Sequence, residues 1–170
     1  MPMSNLGKKF EEKVKEDWER AFPKTFFTRL PDQQSRYFGQ SGNICDYIGF
    51  VNCKLFLMEC KETKETTFNF KSNLGVGNVE KTKSKSQYER LLEHKDDENT
   101  YPGVLLWFSS FDKVVWLNIG EIERMVNDGL KSFNVKMIEN CDYNVYTIPA
   151  TKLRTFMRCD FEIFRTIEKE

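Results

Sequence analysis

N-I-C-D-Y-I-G-F-V-N-C-K-L-F-L-M-E-C-K-E-T-K-E-T-T-F-N-F, residues Asn43 to Phe70, contains two apolar runs separated by a short polar turn. Read as a strand, Leu55 to Lys61 alternates faces: Leu55, Leu57, Glu59 and Lys61 share one side, and Phe56, Met58 and Cys60 the other. Glu59 and Lys61 are then neighbours roughly 6 to 7 Å apart along the strand. Ile44 to Phe50 reads as the preceding antiparallel strand, with Val51-Asn52-Cys53 as the turn. That pairing puts Asp46 beside Glu59. Two carboxylates and an amine converging at the end of a buried strand are costly unless a cation joins them. A hard divalent ion, Mg²⁺ or Mn²⁺, takes carboxylate oxygens and keeps several waters. A nearby lysine then orients or deprotonates such a water, or stabilises developing phosphate charge.

Asp46, twelve intervening residues, and then Glu59-Cys60-Lys61 resembles the core of the PD-(D/E)xK nuclease superfamily. The likeness extends further. D-Y-I-G-F followed by E-C-K-E-T-K-E-T-T-F-N-F-K resembles the RecU family of Holliday junction resolvases, in which these strands lead to a glutamine-bearing helix. Ser86-Gln87-Tyr88 stands in the place of that helix, and Gly7-Lys8-Lys9-Phe10-Glu11 resembles the family's N-terminal G-x-x-x-E helix. The resemblance covers roughly Gly7 to Asn118. Three features depart from it. The stretch Phe26 to Asn43 leaves room for only a short stalk or none, Ser86 replaces a usual histidine, and Gly75-Val76-Gly77-Asn78 with the lysines after it lengthens the approach to the glutamine helix.

The resemblance implies an α/β, restriction-endonuclease-like core, a central mixed β-sheet flanked by helices, formed by residues 1–170 as a single nuclease domain. It also implies a metal-dependent endonuclease that resolves four-way junctions. Asp46, Glu59 and the Cys60 carbonyl would ligate Mg²⁺, with Mn²⁺ as a substitute, and Glu11 would complete or tune the site. Lys61 would align the attacking water and Gln87 would orient the lysine or the water, with hydrolysis leaving a 5′-phosphate. A two-fold homodimer would place one site on each of the two symmetric scissile strands. Two alternatives stand beside this reading: a phage- or restriction-type nuclease on branched or duplex DNA, and a non-catalytic DNA-binding module of the same fold. A pure binder has no need of a desolvated carboxylate pair.

Composition bounds the rest. The chain is 170 residues, 39% apolar and 14% aromatic, which is material for one core. Lys+Arg and Asp+Glu are 26 each, so a DNA-binding surface must come from segregated charge. The candidates are Arg29, Arg36, Lys71, Lys81, Lys83 and Lys85, lying in the Phe26–Gln40 loop and the lysine-rich stretch from Lys61 to Lys85; the plain alternative for each is a solvated loop charge. The cysteines are five, an odd number without CxxC spacing, which points to reduced thiols in a cytoplasmic protein and away from zinc. No apolar run approaches ~20 residues, so a membrane span or signal segment is not expected. The lack of a GxxxxGK[ST] loop argues against a nucleotide cofactor.

Along the chain, Leu6, Phe10, Val14, Trp18 and Phe22 predict a first helix capped at Ser4 or Asn5 and ended by Pro23. Periodicity alone leaves Glu11 either a solvated charge or a group at the border of the buried stripe; the resemblance assigns it to the metal site. Phe27 to Leu30 reads as a strand, Lys71 to Asn78 as a flexible loop, and Lys83 to Glu93 as a helix with Tyr88, Leu91 and Leu92 inward. Val104 to Phe108 and Val114 to Leu117 read as paired core strands, Ile119 to Leu130 as a helix, and Val145 to Ile148 as a late strand. Leu153 to Glu170 has no clean period, and Phe156, Met157, Phe161 and Phe164 are candidates for packing on a partner subunit.

Overall fold

Leu6, Phe10, Val14, Trp18 and Phe22 recur at a spacing that keeps them on one helical face, and helix α1 (Asn5–Ala21) forms over them. Its apolar stripe covers one side of a six-stranded sheet. The computed structural model describes residues 5–31, 42–77, 84–140 and 142–169. In chain order the strands of the sheet are β1 (Phe27–Arg29), β2 (Tyr47–Val51), β3 (Lys54–Thr63), β5 (Thr100–Phe108), β6 (Lys113–Asn118) and β8 (Tyr146–Ile148). Two short ribbons flank it, β4 (Thr67–Asn69) with β7 (Ser132–Asn134), and β9 (Ala150–Lys152) with β10 (Met157–Cys159). Neighbours in the sheet run β1-β2-β3-β5-β6-β8, all antiparallel except β3 with β5.

That one parallel pair dictates the second layer, because parallel neighbours need a crossover long enough to return over the sheet. Here the crossover carries α2 (Phe70–Leu74) and α3 (Gln87–Leu92), and α4 (Ile119–Asn127) packs on the same side. Phe68, Phe70, Leu74, Leu91, Ile122, Met125 and Phe133 fill the space against Leu57, Val104, Leu106, Val115 and Leu117. On the opposite side, Trp18 meets Phe56, Phe161 and Phe164. The fold is therefore a mixed α/β sheet between two helical layers. β5 is buried at every position, as its continuous apolar run requires. Among the described residues no helix is long and apolar enough to cross a membrane.

Close packing fixes one glycine. A Cβ on Gly49 would lie 2.8 Å from Trp18 and 2.9 Å from Phe27, inside the stack that Trp18 and Tyr47 make on the two sides of Phe27. Only a bare backbone lets α1 sit this close to β2.

Three expectations change. Lys71 to Asn78 does not begin as a flexible loop: Asn69 caps α2 through Ser72, and Gly75 ends that helix in the left-handed conformation at φ 75°. The helix expected over Lys83 to Glu93 starts only at Gln87, because Ser86 and Glu89 form a reciprocal capping box there. Met157, Phe161 and Phe164 do not wait for a partner subunit. They are buried in the same chain's core, and Phe156 lies against Trp107. Asp17 explains the placement, since its carboxylate accepts the Cys159 N–H at 2.8 Å and ties β10 to α1.

Candidate active site

The hairpin at the sheet's centre is closed by Asn52 and Cys53, both at positive φ (53° and 61°). A two-residue turn of this kind matches the twist of the flanking strands and fixes their register. Tyr47 pairs with Met58 and Ile48 with Leu57. Phe56, Met58 and Cys60 enter the core beneath α1, whereas Leu57 enters the opposite core, so the two faces of β3 are divided as the alternation predicts.

One residue before β2 the ladder gives way. Asp46 donates its backbone N–H to the Met58 carbonyl at 3.1 Å, and its Oδ2 accepts the Cys60 N–H at 2.8 Å. It therefore holds β3 on both sides of Glu59. In a strand the N–H and C=O of one residue point to the same side, so the Cys60 carbonyl also faces the side of β3 on which β2 has ended. Beyond this point β3 continues to Thr63 with β5 alone as its ladder partner.

Glu59 is 5% exposed, and its Oε1 accepts the Lys61 ammonium at 2.7 Å. Burial pushes the Glu59 carboxyl up to about 7, a rise that Lys61 opposes and the Asp46 charge reinforces. For Lys61, burial favours the neutral amine, but the carboxylates of Glu59 and Asp46 outweigh it and hold the ammonium above its ordinary range. Glu11 is also buried and raised, first by desolvation and then by Asp46. It arrives from α1, where the Tyr47 hydroxyl donates to its backbone carbonyl at 3.1 Å, and its carboxylate pairs with Arg29 at 3.2 Å. Excess negative charge collected in a dry place is what these shifts have in common. The thiols add no ligand: burial raises Cys45 to about 12 and Cys60 well above its ordinary value, so both stay protonated.

The remaining sequence-predicted residues are distributed unevenly. Gln87, first residue of α3, donates its amide to the Ile44 carbonyl and accepts from Arg90 at 3.1 Å; no contact joins it to Lys61 among those described. Arg29 is half-exposed beside Glu11 and belongs to the site's own charge balance. Lys71 is exposed on α2, and Lys85 pairs with Glu93. Arg36, Lys81 and Lys83, with most of the candidate stalk region, lie outside the described residues. Sequence reading passed over Arg90 and Tyr47. The available signal for Arg90 was its i,i+3 spacing from Gln87, which sets two side chains on one helical face.

Among the described residues no three of His, Cys, Asp or Glu gather closely enough to hold a metal ion. Glu11 is paired with Arg29, yet it is near enough for the Asp46 charge to raise its carboxyl. The donor chemistry nevertheless suits a hard divalent cation: Asp46, Glu59 and the Cys60 carbonyl offer oxygen only. The raised carboxyls mark the charge that such an ion would neutralise.

The Recombination protein U (RecU) family model matches residues 29–157, well over half of the chain. The chain belongs to the RecU family. No curated protein matches the RecU-family chain. Among solved structures, it is similar to Hjc, a Holliday junction resolvase from the archaeal hyperthermophile Archaeoglobus fulgidus, at 14% identity over 84% of this chain and 87% of that one, with a TM-score of 0.42. That likeness is remote, and membership of RecU rests on the family match alone. The matched span contains Asp46, Glu59, Lys61 and Gln87 and begins at Arg29, so Glu11 alone of the candidate site lies before it.

Proposed function

We propose that this RecU-family nuclease resolves four-way DNA junctions with Mg²⁺ held by Asp46, Glu59 and the Cys60 carbonyl. The observation that carries the reading is the pairing of Asp46 with β3 around a buried Glu59 whose carboxyl is raised to about 7. Such an arrangement costs stability in the bare protein, and a carboxylate pair kept at that cost argues for cation chemistry. A divalent ion bound there supplies Lewis-acid activation of water and neutralises charge on the phosphoryl oxygens.

The chain's own groups do the rest. Lys61, kept as an ammonium, is a donor rather than a base: it orients the attacking water or the developing phosphorane charge. Glu11 sets the local charge, and Arg29 restrains it until a cation or phosphate competes. Hydrolysis forms a bond from water oxygen to phosphorus and breaks the P–O3′ bond. The water proton passes to solvent, the 3′-oxygen leaves with a proton taken from solvent to become the hydroxyl, and a 5′-phosphate remains. A homodimer would set two such sites against the two symmetric strands of a junction. With residues Phe26 to Asn43 leaving little room for a stalk, the spacing of those two sites would supply most of the selectivity.

The test is cleavage of a synthetic four-way junction against a linear duplex of matched sequence, with Mg²⁺ and with chelator. Junction cutting that needs Mg²⁺ supports the proposal. Equal cutting of both substrates would favour a general branched- or duplex-DNA nuclease.

A further inference from the structure

We infer that Arg90 is a positioning residue for the metal ligand Asp46, acting through Gln87 and the Ile44 backbone; the inference rests on the metal-dependent reading above. The observations form a chain. Arg90 Nη2 donates to Gln87 Oε1 at 3.1 Å, the other end of the same amide donates to the Ile44 carbonyl, and Ile44 lies two residues before Asp46.

A side-chain amide has two ends of nearly equal shape, and a 180° flip exchanges donor for acceptor. Facing a carbonyl, only the NH₂ end makes a bond. Arginine carries donors and no acceptor, so it binds only the oxygen end. Arg90 therefore selects the one flip of Gln87 that can hold Ile44. Without it the amide is free to turn, and the carbonyl of Ile44 loses its fixed donor for part of the time.

The segment so held needs holding. Gly42 to Asp46 lies in no strand, and β2 pairs regularly only from Tyr47. The described contacts that place it include Asn43 to the Pro31 carbonyl at 2.8 Å, Asp46 O accepting from Leu30 N at 2.8 Å, the Cys45 thiol on the Tyr47 carbonyl at 3.1 Å, and burial of Cys45 in the core. Yet Asp46 has to meet β3 on both sides of Glu59 with its carboxylate aimed correctly. Arg90 itself is placed for the task. A Cβ on Gly42 would lie 2.5 Å from its Nη1, its Nε is buried with no hydrogen-bond partner, and among the described residues no carboxylate forms an ion pair with it. A guanidinium with no acidic partner among the described residues, resting on an amide that holds the ligand loop, is explained by a positioning role.

Partners one step out from a metal ligand typically change metal affinity by 10- to 100-fold. Arg90 acts two steps out, so a loss of roughly 10-fold is expected. The experiment titrates Mn²⁺ calorimetrically into full-length wild type, Arg90→Ala, Arg90→Met and Arg90→Lys. Thermal unfolding and metal-free junction binding are measured on each. Arg90→Met keeps the aliphatic stem and removes only the donors, so it remains informative if Arg90→Ala does not fold. The inference predicts Mn²⁺ affinity about 10-fold weaker for Arg90→Met, substantial recovery in Arg90→Lys, unchanged junction affinity, and cleavage near wild type once Mn²⁺ is saturating. Gln87→Glu, which can still accept from Arg90 but cannot donate to Ile44, should weaken Mn²⁺ binding at least as much as Arg90→Met. Unchanged Mn²⁺ affinity in Arg90→Met overturns the inference, and so does weakened junction binding without metal, which would make Arg90 a phosphate contact. If Asp46→Asn binds Mn²⁺ as tightly as wild type, the metal-site reading fails instead, whatever Arg90 does.

Discussion

Asp46 grips β3 on both sides of Glu59, its N–H on the Met58 carbonyl at 3.1 Å and its Oδ2 on the Cys60 N–H at 2.8 Å. The two carboxylates are thus brought together by backbone geometry, and the cost appears in the ionisation of Glu59.

Stability should depend on pH in a direction set by Glu59. Its folded carboxyl titrates near 7 against an ordinary 4.5. Below the lower value both states are protonated and nothing is lost. Between the two the folded protein keeps a proton that the unfolded chain has released, so stability falls as pH rises, and the loss is complete above about 7. Its upper bound is about 3 kcal/mol. Urea unfolding in chelator from pH 4.5 to 8 should show this fall in wild type relative to Glu59→Gln, and Mg²⁺ at pH 8 should reverse it. Parallel curves for the two proteins would mean that Glu59 ionises normally.

Lys61→Ala should slow cleavage on the order of 100-fold at saturating metal while metal affinity stays largely intact, because the ammonium acts on the water or the transition state. Losing its pair should also drive the Glu59 carboxyl further up, since Lys61 is the influence that now lowers it. The acid limb of the pH–rate profile should then move to higher pH. A loss of metal binding by calorimetry, with no separate defect in rate, contradicts this role.

DNA affinity should rest on lysines outside the site. Replacing Lys81, Lys83 and Lys85 together by Ala should weaken junction binding and flatten its salt dependence. Lys85 is already paired with Glu93, so the slope should change by about two contacts rather than three, at roughly 0.9 per contact. An unchanged slope across a salt series would place this stretch away from DNA.

The sequence was most legible where burial imposes a period. Alternation along Leu55 to Lys61 divided the two cores correctly, and the four-residue recurrence from Leu6 to Phe22 located α1, because each pattern has one dominant buried surface. The last eighteen residues were not legible. Met157, Phe161 and Phe164 fill a core whose other wall is α1, some 140 residues earlier, and a partner that distant leaves no local period. At the site, the meeting of Asp46 with Glu59 followed from the hairpin. The bonds of Gln87 to Ile44 and Arg90 did not, since they depend on how a crossover helix lands on a loop. Nor did the Arg29–Glu11 pair, which joins two segments eighteen residues apart across a helix end.

The central claim is that Asp46 and Glu59 hold a catalytic cation, and one comparison tests it most directly. Asp46→Asn keeps an oxygen able to accept the Cys60 N–H, so its fold should survive while a ligand charge is lost. Cleavage and binding of a four-way junction are measured for wild type and Asp46→Asn in saturating Mg²⁺. Cleavage reduced on the order of 100-fold or more, with junction binding equal to or tighter than wild type, is the predicted result. Wild-type cutting by Asp46→Asn would contradict it.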